Sequence, residues 1–395
     1  MNQRLLFLQH NAQTSKSPML FEVERAEGVY LYDTTGKEYI DLISGISVCN
    51  LGHSNAAVIN AIQEQIKRYM HTMVYGEFIQ SPQTSFAVAL TQHLPESLNT
   101  VYFTNSGSEA TEGAMKLAKR YTGRTKLISF NKSYHGSTQG SLSMIGDEYF
   151  RNAFRPLLPE IYRYDYNDIE MIHHIDENTA AVFVELIQAE SGIHIANKKW
   201  IRDLKERCTS KGALLIADEI QTGLGRTGSL FAFEQAEIIP DVILLGKALG
   251  AGLPLGAFIA SKKLMDSFSE NPILGHITTF GGNPVCCASG LAGFNELLNK
   301  GYINEITAKE KLFHLLLKHK AIKAVRSSGL MLAIEFENAV LNQKIISCCL
   351  GKGLITDWFL FAPQCLRIAP PLIISEELIR KACEIILESI DEVVK

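Results

Sequence analysis

The middle of this chain alternates short apolar runs with helical patterns, and few folds accept that order. The runs cover residues 101–104, 126–130, 181–185, 213–217, 242–245 and 256–260. Helical periodicity fills 109–121 and 198–211 between them. Such alternation predicts a mostly parallel sheet covered on both faces, and so an α/β fold. Ligands on sheets of this kind bind beyond the carboxyl ends of the strands. The residues directly after each run are therefore where chemistry is expected.

The flanks read differently. Residues 28–42 form a hairpin pattern around Thr34-Thr35-Gly36. A helical pattern follows over 55–94, with Val58, Ile62 and Ile66 on one face. Beyond Pro284 a long helical stretch covers 285–318. Strand-like pieces at 322–326, 330–336 and 365–369 come next, and a helix from 376 to 393 closes the chain. The expected division is an N-terminal segment, 1–50, packed with the small domain; a large domain, 51–284; and a small α+β domain, 285–395.

Composition excludes several partners. The net charge of −4 gives no basic field for nucleic acid or anionic membrane, and no apolar run is long enough to span a bilayer. The N-terminal stretch Met1–Leu8 lacks the pattern of a signal peptide. Eight cysteines occur without a C-x-x-C spacing, which predicts buried free thiols, a cytoplasmic setting and no metal site.

Two strand ends carry the chemistry. Lys247 follows the run 242–245 and sits between Gly246 and Ala248. Burial there disfavours an ammonium and yields a nucleophilic amine able to condense with a carbonyl cofactor. Asp218 follows the run 213–217. A lysine and a carboxylate so placed are the imine partner and the pyridinium partner that pyridoxal 5'-phosphate requires. Ser106-Gly107-Ser108 between a strand and a helix suits a phosphate, although simple capping explains the same residues. Tyr134-His135-Gly136 offers a ring for stacking, and Gln221 lies three residues beyond Asp218. Gly223-Leu224-Gly225-Arg226-Thr227-Gly228 spells a dinucleotide fingerprint. It lies too far past its strand and opens no helix, so a nicotinamide site is not expected.

Together these motifs resemble the class III pyridoxal-phosphate aminotransferases of the ornithine, acetylornithine and 4-aminobutyrate group, of fold type I. The resemblance rests on Asn105–Ala110, Tyr134-His135-Gly136, 218–223, Gly246-Lys247-Ala248 and 279–284, in the family's order and spacing. It implies a large domain with a mostly parallel central sheet and a smaller α+β domain. It implies that Lys247 binds the cofactor and moves the proton. Asp218 would pair with the pyridinium, with Tyr134 and His135 in the ring-stacking segment. Gln221 would contact the ring hydroxyl, and Ser106, Gly107 and Ser108 the phosphate. Thr279 would reach phosphate from a neighbouring subunit, making a homodimer with a shared active site. The family's gating glutamate would be Glu190 and its carboxylate-binding arginine Arg367, with 2-oxoglutarate as amino acceptor. Same-fold racemases, aminomutases and decarboxylases are the alternative, and a non-catalytic member is a weaker one.

One departure bears on the amino donor. Ornithine- and acetylornithine-type enzymes carry arginine where this chain has Ser137, and the ornithine enzymes also use a tyrosine near where it has Lys16 or a neighbour. Loss of a bidentate clamp weakens carboxylate recognition, so another cation is sought among Lys16, Arg151 and Arg155. The expectation is a transaminase taking a terminal amino group from a small-molecule donor such as acetylornithine, ornithine or a related ω-amine.

Overall fold

The computed structural model describes residues 3–394; Met1, Asn2 and Lys395 lie outside them. Its centre is the sheet that the alternation predicts. In chain order, three N-terminal strands β1 (Val23–Glu27), β2 (Tyr30–Asp33) and β3 (Glu38–Asp41) come first. The central strands are β4 (Thr100–Thr104), β5 (Lys126–Phe130), β6 (Ile161–Tyr164) and β7 (Thr179–Glu185). A short ribbon, β8 (Ile187–Gln188) and β9 (His194–Ile195), precedes β10 (Leu214–Asp218), β11 (Val242–Leu245) and β12 (Gly256–Ala260).

The spatial order of the seven-stranded sheet is β4-β12-β11-β10-β7-β5-β6. Only β12 runs antiparallel to its neighbours β11 and β4. Every residue of β7, β10, β11 and β12 is buried, as strands covered on both faces require. Helix Gly107–Thr122 covers one face through Ala114, Leu117 and Ala118, and Trp200, Ile201 and Leu204 of helix Lys198–Lys211 cover the other. No apolar run marks the edge strand β6, whose sequence is Ile161-Tyr162-Arg163-Tyr164.

The flanking helical patterns are each interrupted. Helices Ala56–Arg68 and Ser81–Thr91 are separated by a loop, and Ile66 is exposed instead of sharing the buried face of Val58. The 285–318 stretch breaks at Gly301, whose φ of +69° ends helix Pro284–Lys300 and precedes helix Tyr302–Leu316. The C-terminal part contains β13 (Ala324–Ser327), β14 (Leu332–Glu335), β15 (Leu354–Ile355), β16 (Trp358–Phe359) and β17 (Ala362–Ile368). The sheet β13-β14-β17-β16 is backed by the unanticipated helix Ala339–Gly351, against which helix Glu376–Val394 packs. β15 leaves that sheet and pairs in parallel with β3.

Arg226 explains the glycine-rich segment that mimics a nucleotide loop. Its guanidinium is wholly buried and donates to the carbonyls of Leu330 and Pro370, to Ser44 Oγ and to Asn50 Oδ1. Gly225 and Gly228 take left-handed φ values of +87° and +91° around it. The segment is a strap between the two ends of the chain, with no helix opening at Gly228. All eight cysteines are free; Cys49, Cys286 and Cys348 are half-buried and the rest buried. No helix among the described residues is long and apolar enough to cross a membrane.

Candidate active site

The ends of β7, β10 and β11 bring Glu185, Asp218 and Lys247 to the wall of one cavity of about 190 Å³. Parallel pairing puts Asp218 beside Glu185 in register. Gly107, Ser108, Tyr134, His135, Ser137, Ile220 and Gln221 complete much of the lining.

Close packing of backbone explains the glycines. A Cβ on Gly246 would stand 3.2 Å from the Gly107 Cα, and one on Gly107 would meet Ile220 Cδ1 at 2.7 Å. Without side chains, the end of β11 approaches the first turn of helix Gly107–Thr122. Lys247 itself has φ of +47°, an uncommon value for a residue with a side chain. Its Nζ donates to Gln221 Oε1 at 2.6 Å. Burial pushes its ammonium down from 10.5 to about 8, against the pull of Glu190 and Asp218. The amine is thus half uncharged at about pH 8, where an exposed lysine is almost wholly charged.

Asp218 Oδ2 lies 2.6 Å from His135 Nδ1, and its Oδ1 accepts the amide of Ile220 at 3.0 Å. His135 therefore fixes the aspartate and belongs to the site through that contact. The next residue, Glu219, turns away and accepts the amides of Ala232 and Phe233; burial raises its carboxyl to about 7.

The first turn of helix Gly107–Thr122 separates two readings of one motif. Ser106 Oγ accepts the Glu109 amide at 3.2 Å and is absent from the cavity lining, so Ser106 is the helix cap. Gly107 and Ser108 do reach the cavity, at a helix N-terminus where amides and dipole favour an anion. Glu112, unremarked in the sequence, accepts the Thr138 hydroxyl and the amides of Gly140 and Ser141. It holds the segment after Tyr134-His135-Gly136 against that helix.

Glu190 and Arg367 meet in the structure. Arg367 Nη1 and Nη2 reach Glu190 Oε1 and Oε2 at 2.9 and 3.0 Å, a bidentate pair. Arg367 Nε also donates to Asp357 Oδ1 at 2.8 Å, its Nη2 to the Trp358 carbonyl at 2.9 Å, and its plane lies over Phe359. Burial opposes the charge of Glu190, but Arg367 outweighs it and holds the carboxyl below the ordinary range. Asp357, which no sequence motif marked, is raised to about 6, chiefly by burial.

Of the remaining candidates only Ser137 touches the cavity. Arg151 and Arg155 both pair with Glu148, Lys16 is exposed, and none lines it. Ser137 is exposed at the rim, where its side chain meets the Tyr134 hydroxyl. Thr279 is also exposed and outside the lining.

The class-III aminotransferase family matches residues 11–390. The chain belongs to that family. It is 38% identical over 361 residues to the acetylornithine aminotransferase of Methanopyrus kandleri, covering 90% of each chain. It is 38% identical over 371 residues to that of Aquifex aeolicus, covering 92% of this chain and 95% of the other. The ornithine aminotransferase of Toxoplasma gondii superposes with a TM-score of 0.91 at 29% identity, covering 99% of this chain and 95% of the other. The fold is accordingly fold type I, and the protein is a pyridoxal-phosphate-dependent transaminase. The residues fit that cofactor: a buried lysine whose ammonium is easier to deprotonate than an exposed one faces a cavity that also holds a fixed aspartate and an anion-ready helix end.

Proposed function

We propose that this transaminase moves a terminal amino group from a small ω-amine donor to 2-oxoglutarate, in two half-reactions at one site. The observation that carries the reading is the bidentate Glu190–Arg367 pair, both of whose charges act on Lys247. A guanidinium fork held by an internal carboxylate accepts a substrate dicarboxylate when the glutamate leaves, and is masked when an amine without that carboxylate binds.

Bound pyridoxal phosphate supplies a ring that accepts electrons from the substrate carbon. Lys247 supplies the amine that anchors it and afterwards carries the proton at the reacting carbon. Its fixed position makes that transfer effectively unimolecular. Asp218, steadied by His135, keeps the ring nitrogen positive. Gln221, which holds the lysine amine at 2.6 Å, would contact the ring hydroxyl, and Tyr134 would cover the ring face. Gly107 and Ser108 receive the phosphate, with Ser106 shaping the turn.

The active unit in this reading is a cytoplasmic homodimer. Met70, Phe78, Ile79, Ile277 and Phe280 are exposed on two loops joined by the His71–Phe280 ring contact and by Asn283 donating to the Met70 carbonyl. An apolar surface of that kind supports self-association and carries Thr279 at its edge. Domain limits at residues 50 and 284 accompany this reading. Ser137 favours donors that need no second guanidinium clamp.

A single-turnover assay tests the transfer. Enzyme loaded with cofactor and mixed with glutamate alone should release one 2-oxoglutarate per bound cofactor. Absence of release while the cofactor stays bound would overturn the choice of acceptor. A donor panel including acetylornithine, ornithine, 4-aminobutyrate, lysine and diamines then identifies the other partner.

A further inference from the structure

Two carboxyl groups end adjacent strands at this cavity, and their surroundings differ. Asp218 has a donor on each oxygen, from His135 and from the Ile220 amide. That arrangement suits an anion. Glu185 is 8% exposed and lines the same cavity, yet its Oε2 has no hydrogen-bond partner. The amide of Tyr134 faces its carboxyl. Its main chain is fixed, because the Tyr166 hydroxyl donates to its carbonyl at 2.7 Å. A bare, buried carboxylate oxygen is costly, whereas a protonated one is a hydrogen-bond donor.

We propose that Glu185 is a neutral acid whose carboxyl O–H donates a hydrogen bond to the pyridoxal phosphate in this cavity. The proposal rests on the cofactor site formed by Lys247 and Asp218. Among its neighbours Asp218 and Glu190 repel a charge on Glu185, and Lys247 opposes them. Burial acts in the same direction as the two acids, and together they push the group well above the ordinary carboxylate range. Two adjacent carboxyls thereby divide their roles, one holding charge and one holding a proton.

Glutamine is the informative replacement. It keeps an acceptor for the Tyr134 amide and a donor for the cavity, and it cannot ionise. Cofactor affinity of the cofactor-free enzyme, measured by fluorescence quenching, should stay within about threefold in E185Q and weaken about tenfold or more in E185L. Infrared difference spectra between wild type and E185Q should show the carbonyl band of a protonated carboxylic acid. Equal weakening in E185Q and E185L, or the absence of that band, would show an ionised Glu185 and overturn the proposal. So would wild-type affinity in E185L. If E185L fails to fold, the infrared band and E185Q still decide. K247A is the control for the site itself: if it keeps the visible absorbance of the bound cofactor, the cofactor site is misplaced, and that failure is separate from the role of Glu185.

Discussion

Removing the charge of Glu190 should make 2-oxoglutarate bind more tightly. In the resting site Arg367 already holds a carboxylate through two bonds of 2.9 and 3.0 Å, so an incoming dicarboxylate must displace it. E190Q retains the shape and one weak acceptor but loses the charge-assisted pair. A hydrogen bond to a charged group contributes about 1.5–3 kcal/mol. Relief of that competition therefore predicts a gain of about tenfold to a hundredfold in 2-oxoglutarate affinity. The gain falls toward the lower end because Asp357 keeps the Nε side of Arg367 engaged at 2.8 Å. The amine half-reaction should slow in the same variant, since a buried guanidinium loses its mask. Rapid-mixing titrations with 2-oxoglutarate and with pyruvate, which lacks the second carboxylate, separate the effects. A parallel change for both keto acids, or weaker binding of 2-oxoglutarate, would refute the competition between Glu190 and substrate.

Three further outcomes are expected. Lys247 has its ammonium lowered to about 8 by burial, so the unfolded chain binds more protons than the folded one between about pH 8 and 10.5. The penalty is present in full below that window, and stability of the cofactor-free protein should rise by roughly 3 kcal/mol across it. Urea unfolding of wild type against K247M checks this, the rise being absent in the variant. R226L strands carbonyls of Leu330 and Pro370 in the interior. It should lose about 3–5 kcal/mol of stability in the same assay, and a loss below 1 kcal/mol would contradict the strap. G136A places a methyl 2.3 Å from Ser108 Oγ and 2.9 Å from its Cα at a φ of +124°. Cofactor affinity should fall about tenfold or more through displacement of Ser108, read by equilibrium dialysis.

The residues that end strands were legible because the alternation of elements is itself legible. Lys247 and Asp218 stand out as polar groups after apolar runs, and the sheet brings both to one wall. Glu185 occupies an equivalent strand end, but it was counted within an apolar run, and its exceptional feature is a missing partner. Asp357 and Glu112 act through tertiary contacts with Arg367 and with the Gly140 and Ser141 amides, which no local pattern encodes. The break in 55–94 was hidden because the loop after Arg68 is held by Gln80 and Gln83 donating to the carbonyls of Met73 and Val74. No glycine or proline marks its start. Strand β6 carries Arg163 at its centre, which binds the carbonyls of Ser143 and Ile145 and spoils the apolar signal. Ser106 shows the opposite difficulty. Its motif fits two purposes, and only the bond to the Glu109 amide distinguishes them.

The parallel pairing of β3 with β15 also constrains how the protein is made. Ile40 and Leu42 donate to the carbonyls of Gly353 and Ile355 at 2.9 Å, so the partner of this hairpin is synthesised only after the long intervening stretch of chain. At ordinary translation rates that edge waits roughly 15–60 s on the ribosome with its hydrogen-bonding groups open. A newborn chain of this topology has a built-in interval of vulnerability to wrong strand pairing, and chaperone demand should concentrate there.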